Sequence, residues 1–356
     1  MMTSSLLRWT PAFIAVGAVA AAAIGVPLAA SASSPLPHKT PSQVIELMAS
    51  SHVSSLSGTI EQTSDLGLPS LPKVGAGSDS SASSTLELLT GSHTANIYLS
   101  GTSDARIQVL DQLAERDVIR HGSDVWIYDS KNHTAQHATI TAKQHGLPAK
   151  KVPMATPSEL ATKLLGQLKS TSTITVGADV AVAGHSAYDL ILRPKATDTL
   201  LGSVSIAVDS TTGLPLRVEL NARGQSAPAV SVGFSSVTFA KPAASIFAFT
   251  PPSNTKVTQL DKQHAKPKAD AMPKTQAKAK PATTVTGKGW DAVVSISKTS
   301  ADSELTGSPL FAQLTTPVTG GRVFHTSLLN VLITTDGRII AGSVSIARLQ
   351  AVAAAS

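Results

Sequence analysis

The chain contains no cysteine among its 356 residues. That excludes disulfides, thiolate metal sites, a cysteine nucleophile and a lipobox cysteine for lipid attachment. An exported protein without disulfides is held by its core alone, and this length permits one. Aromatic residues make up 4% and charged residues 15%, too few for a nucleic-acid groove with stacking rings or for a highly charged disordered chain. Carboxylates are sparse, and Asp104, Asp111 and Asp209 read as turn starters rather than an acid–base pair. No phosphate-cradling glycine loop is present. What is abundant is Ala, Val, Leu and Ile, within a hydrophobic share of 42% that suffices for a full core.

The formal charge of +6 is unevenly placed. Lys262, Lys266, Lys268, Lys274, Lys278 and Lys280 fall in one stretch, spaced by Ala, Pro and Gln, with no aromatic residue. A nucleic-acid footprint would place its cations on a folded face. The pattern instead fits a linker attracted to anionic membrane or envelope surfaces.

Residues 1–32 carry Arg8, an apolar run from Pro11 to Leu28 and Ala30-Ser31-Ala32, an A-x-A cleavage pattern. They are read as a signal peptide, or as an N-terminal membrane anchor if uncleaved. In both cases the remainder is extracytoplasmic, either secreted or held at the outer face of the cytoplasmic membrane. Residues 33–255 read as one α+β domain. Thr40-Pro41-Ser42-Gln43 and Thr156-Pro157-Ser158-Glu159 are capping boxes with proline at the first helical position. Val44, Ile45, Leu47 and Met48 give the first helix its apolar face, and Leu160, Leu164, Leu165 and Leu168 give the second a better one.

Elsewhere the period is two. Ile97/Leu99, Ile107/Val109, Val125/Ile127, Tyr188/Leu190/Leu192, Val204/Ile206/Val208 and Leu214/Leu216/Val218/Leu220 each share a strand face. Turn signals such as His121-Gly122-Ser123, Ser130-Lys131-Asn132, Asp209–Gly213 and Arg223-Gly224 separate them. Connections this short imply antiparallel pairing. A large antiparallel sheet with two helices packed on it is expected. Leu66, Leu68 and Leu71, among Pro69 and Pro72 and a Gly/Ser stretch, form an apolar-tipped loop, a surface insertion or a lid. Residues 256–286 read as a Lys/Ala/Pro-rich linker. Residues 287–356 read as a small β-rich unit ending in a hairpin, Leu328–Thr334 and Arg338–Ile346, whose Thr335-Asp336-Gly337 turn suggests type I′. Its thin core predicts docking on the main domain or oligomerisation.

Catalytic patterns fail one by one. Gly184-His185-Ser186-Ala187-Tyr188 is similar to a nucleophile elbow, but Tyr188 replaces the closing glycine and a strand, not a helix, follows. His133 and His137 lack the glutamate and the helix that a zinc motif requires; with His121 and His145 they read as exposed polar residues or a weak metal or pH-sensing patch. Neither an enzymatic activity nor a cofactor is expected.

Three stretches in order resemble the LolA/RseB-like superfamily of outer-membrane lipoprotein carriers and envelope-stress regulators. They are Leu113–Tyr128 (LAERDVIRHGSDVWIY), similar to RseB/MucB-type N-terminal domains; Val182–Pro194 with Gly202–Glu219, similar to the sheet centre of LolA-type proteins; and Val232–Val257 with its Phe247-Ala248-Phe249-Thr250-Pro251-Pro252 exit. The resemblance spans residues 40–257 and leaves the linker and C-terminal unit uncovered. It implies an unclosed β-barrel with helices over its mouth and a cavity for a lipid or lipoprotein acyl chain. A sensor binding a membrane regulatory protein such as an anti-sigma factor is the alternative, and a wall-associated protein held by its lysine-rich linker a third. The strand and helix positions that could face such a cavity are Val109, Val125, Ile127, Leu190, Leu192, Val204, Ile206, Leu216, Val218, Leu160 and Leu164, with Leu66, Leu68 and Leu71 as the lid.

Overall fold

The computed structural model describes residues 35–68, 91–111, 114–140, 155–260, 283–297 and 309–355. Residues 1–32, expected to be a signal peptide or anchor, Leu71, His145 and most of the lysine-rich stretch lie outside them. Both threonine-led helices form as their residues dictate. In α1 (Pro41–Ala49) the Thr40 hydroxyl accepts from the Gln43 amide at 3.3 Å, and the Gln43 side chain accepts from the Thr40 amide at 2.8 Å. In α2 (Pro157–Leu168) Thr156 and Glu159 make the same exchange at 3.2 and 3.0 Å. Each box satisfies amides that the first helical turn leaves without partners.

The strands of the main sheet are β1 (Ser55–Ser64), β2 (His93–Ser100), β3 (Asp104–Asp111), β4 (Ala114–His121), β5 (Asp124–Asp129), β6 (Thr134–Thr139), β7 (Ser172–Val176), β8 (Val180–Val182), β9 (His185–Pro194), β10 (Leu201–Asp209), β11 (Pro215–Ala222), β12 (Val230–Thr238) and β13 (Lys256–Gln259). Their spatial order is β13-β6-β5-β4-β3-β2-β1-β12-β11-β10-β9-β7, with β8 pairing β9. Two meanders, β1–β6 and β7–β12, are thus sewn together by the β1–β12 ladder. The end strands β7 and β13 do not pair, so the curved sheet stays open. The turn between β8 and β9 holds Ala183 and Gly184 at φ of 50° and 82°, a two-residue hairpin. The serine of the elbow-like sequence therefore lies in a strand.

One pairing departs from the antiparallel expectation: β13 runs parallel to β6. After β12 the chain crosses the outer face, where Phe247 is buried and the 3₁₀ turn Ala244–Phe247 lies on β3 and β4. This crossover is long enough to deliver a parallel strand. The sheet consequently extends to Gln259, past residue 255.

A second sheet contains β14 (Thr283–Thr286), β15 (Val293–Ile296), β16 (Thr315–Val318), β17 (Gly321–His325), β18 (Asn330–Thr334) and β19 (Ile339–Gly342), in the order β14-β15-β19-β18-β17-β16. Helices α3 (Pro309–Leu314) and α4 (Ile346–Ala355) accompany it. Val293, Val323, Leu332, Ile340, Leu349 and Val352 form its own core. Residues 256–259 and 283–286, read from sequence as linker, are strands. The β18–β19 turn is also not type I′, since Asp336 is absent from the positive-φ residues and only Gly337, at 88°, lies there. The Gly337 amide donates to the Thr334 carbonyl and the Thr334 amide to the Arg338 carbonyl, both at 2.9 Å. This is a three-residue loop closed by a bulge glycine. Ile346 opens α4 instead of ending a strand.

The unit docks on the main domain. Trp290 joins the main core, and its indole donates to the Ser172 hydroxyl at 2.6 Å. The Leu200 amide donates to the Ser343 carbonyl at 2.8 Å.

Candidate binding groove

Side chains alternate across a pleated strand, so the registers assign each residue to a face. Leu190, Ile206, Val218 and Val232 are partners in successive ladders, and Val232 pairs Gln62 of β1. Two residues on, Phe234 pairs Ile60, which pairs Ala95 of β2, which pairs Val109 of β3. The face under the helices is therefore continuous with one face of β1–β6, here termed inner.

Its two halves are filled differently. Over β9–β11, Leu190, Leu192, Val204, Ile206 and Val218 are essentially inaccessible and pack with Val44 of α1 and Ala161, Leu165 and Leu168 of α2. Five of the positions singled out from sequence are thus solid core beneath helices, because those helices bring matching apolar faces. Leu216 is buried in the adjoining cluster with Ile60, Ile97, Val109 and Phe234. Leu160 and Leu164 are partly buried against the main core, and Leu160 touches both clusters.

Over β2–β6, Ile97, Ile107, Val118, Ile127 and Gln136 stand opposite one another in successive ladders. At about 4.8 Å per strand, the four aliphatic members make a stripe about 14 Å long. A cavity of about 250 Å³ lies on it, lined by Ile107, Val109, Val118 and Ile127, by Arg116, Asp129, Thr134 and Gln136, and by Asp117 and Tyr128 between them in the same strands. Val109 and Val118 are its buried floor; Ile107 and Ile127 are half-buried. The row of Val109 continues through Arg116, Asp129 and Thr134, whose side chains make a polar rim. On the other side, Ala105, Arg120, Val125 and Ala138 form the third row. Val109 and Ile127 thus line the cavity, whereas Val125 is buried one row away.

The outer face of the same strands is polar and aromatic. The Arg106 guanidinium donates to the Ile246 carbonyl at 3.1 Å and pairs with Asp117 and, at 3.5 Å, Glu115. Burial of Asp117 pushes its carboxyl up to about 7, against the lowering pull of Arg106. Phe249 lies 5.5 Å from Trp126 and 5.4 Å from Tyr128, and His137 stacks on Trp126 at 4.3 Å. His137 bridges Asp124 and Gln259, each at 2.9 Å, and His121 contacts Asp104 at 2.7 Å. The exit segment with its two phenylalanines therefore straps the outer face and leaves the inner groove untouched.

Leu66 and Leu68 are half-buried. The Leu66 carbonyl accepts from the Ser327 amide at 2.9 Å, which ties the start of the loop to the second sheet.

Sequence reasoning missed Val118, Arg116 and Gln136. β4 reads Glu-Arg-Asp-Val-Ile-Arg, with charges on both faces, and the alternation is hidden until the ladder supplies its phase. A usable signal was the spacing Arg116, Val118, Arg120, one face of a strand bounded by the Gly122 turn.

No family model matches the chain, and no curated protein matches it. Solved structures do. A chain of the Pseudomonas aeruginosa MucA/MucB complex is 16% identical, with 88% of this chain and 96% of that one covered and a TM-score of 0.43. A conserved Thermus thermophilus protein is 8% identical over 61% of this chain and 98% of its own, TM-score 0.34. A LolA superfamily protein from Nitrosomonas europaea is 9% identical over 60% and 99%, TM-score 0.25. At such identities and TM-scores these likenesses carry no argument, and any reading of ligand rests on this chain's own groove. The fold is an open curved sheet with helices on one half of its inner face, followed by a small second sheet.

Proposed function

We propose that this is an exported, non-enzymatic lipid- or lipoprotein-binding protein that shelters an acyl chain in the groove over β2–β6. The observation that carries the reading is the aliphatic stripe Ile107–Val118–Ile127, continued into the core by Ile97, beneath a cavity that the helices do not fill. Each methylene buried there contributes about 0.8 kcal/mol, so ten give about 8 kcal/mol before ordering costs. That is in the range of useful but reversible binding. Ile127 is half-buried at the cavity wall, so Ile127→Glu places a charge in the groove without removing the floor.

Native mass spectrometry of the purified mature chain tests the reading. Co-purifying or added lipid is retained by wild type and lost in Ile127→Glu with an unchanged circular dichroism spectrum. A wild-type chain that takes up no lipid overturns it. If the delipidated protein instead captures one specific membrane protein from envelope extracts, the regulator reading replaces the carrier reading.

A further inference from the structure

The two rows flanking the stripe differ in charge balance: Val109, Arg116, Asp129 and Thr134 on one side, Ala105, Arg120, Val125 and Ala138 on the other. Arg116 stands opposite Asp129 in the β4–β5 ladder. Arg120, on the same face of β4, stands opposite Val125 and, across β3, Ala105. Leu99 and Ala138 are the next residues along that row. Arg120 is 7% exposed, so its guanidinium lies largely out of water. Its Nε donates to the Gly122 carbonyl at 3.1 Å, and its Nη1 is buried with no hydrogen-bond partner. Arg120 enters none of the ion pairs among the described residues. The turn carboxylates nearest in sequence are engaged elsewhere, Asp104 with His121 and Asp124 with His137.

A buried, permanently charged guanidinium with aliphatic neighbours is costly unless an anion meets it. Arginine cannot relieve that cost by losing its proton. Both facts select the ligand. We propose that Arg120 is the head-group subsite of the groove and that its occupant is a single-chain aliphatic carboxylate, with its tail along the Ile107–Val118–Ile127 stripe. The inference rests on the acyl-chain reading and adds the ligand's class and orientation. One guanidinium balances one negative charge, as a carboxylate supplies, whereas a phosphate monoester brings nearly two. A cavity of about 250 Å³ lies just below the range of drug-sized pockets, which suits one chain rather than a multi-chain lipid.

Calorimetric titration of the full mature chain at about pH 8, where a carboxylate is ionised, separates the possibilities. The probes are dodecanoate, dodecyl phosphate and dodecanol. Wild type binds dodecanoate about tenfold more tightly than dodecanol, the worth of a hydrogen bond to a charged group. Arg120→Gln removes that preference and leaves dodecanol affinity within about twofold, while Arg193→Gln, exposed on β9 and outside the cavity lining, leaves the preference in place. Arg120→Gln also melts no lower than wild type without ligand, because it removes a charge that lacks a partner; should it misfold, Arg120→Met serves. Equal affinity of wild type for dodecanoate and dodecanol overturns the subsite, and so does a preference that survives in Arg120→Gln. Tighter binding of dodecyl phosphate than of dodecanoate overturns the carboxylate assignment. Binding of none of the three overturns the acyl-chain reading itself, a distinct outcome.

Discussion

The two halves of the main sheet are built from similar residues and put to different uses. In the half formed by β7–β12, aliphatic side chains on the inner face meet two amphipathic helices and become inaccessible. In the half formed by β1–β6, an equally aliphatic stripe meets a cavity instead. The outer faces differ in the complementary sense, since the Phe247–Phe249 strap covers β3–β5. An apolar strand face is therefore not in itself a binding surface. What stands opposite it decides between core and groove.

The sharpest way to break this contrast is truncation on each side. Leu192→Ala, under the helices, should cost about 2–5 kcal/mol in denaturant unfolding, as buried leucines do when a packed cavity results. Ile107→Ala, at the groove wall, should cost about 1 kcal/mol, because part of its surface already faces the cavity. Equal losses would mean that the groove is packed like the core.

Asp117 sharpens the comparison from the outer face. Its carboxyl titrates near 7 in the folded chain and near 3.8 when unfolded. Between those values the folded state holds the extra proton, so this group's contribution makes unfolding free energy fall as pH rises from about 4 to about 7 and level off above. Asp117→Asn should remove that slope in melts taken across the range. An unchanged slope would place its origin elsewhere.

Phe249→Ala removes two aromatic contacts from the strap and should cost about 1–2 kcal/mol, with Trp126 emission shifting to the red as the indole loses its neighbour. A similarly small effect, no larger than that of Ile107→Ala, is expected at the helix that fills the other half. Thr156→Ala opens the capping box of α2 and should lower stability by about 1 kcal/mol, measurable as a shift in denaturation midpoint.

Much of this layout was legible in the sequence. The capping boxes at Thr40 and Thr156 announce their helices because the cap is a local bond within four residues. The turns at Gly122, Gly213 and Gly224 separate strands because positive φ belongs to glycine. Less legible were β1 and β6, whose Ser, Thr and Gln residues carry little alternation. Strand β13 was hidden further, since Lys256–Gln259 is exposed throughout and gains its order from one ladder with β6. The Asp336-Gly337 turn was misread in type because loop length depends on where the ladder bonds close.

The groove was legible only in part. Val109 and Ile127 follow from alternation, but Leu190, Leu192, Val204 and Ile206 carry the same signature and lie under helices. Local bonding and periodicity determined, from residues alone, where helices start, where strands turn and which side chains share a face. Which of those faces α1 and α2 cover, which one keeps its cavity, and that Arg120 is buried without a carboxylate among the described residues were decided by tertiary structure, because they depend on contacts between segments far apart in the chain.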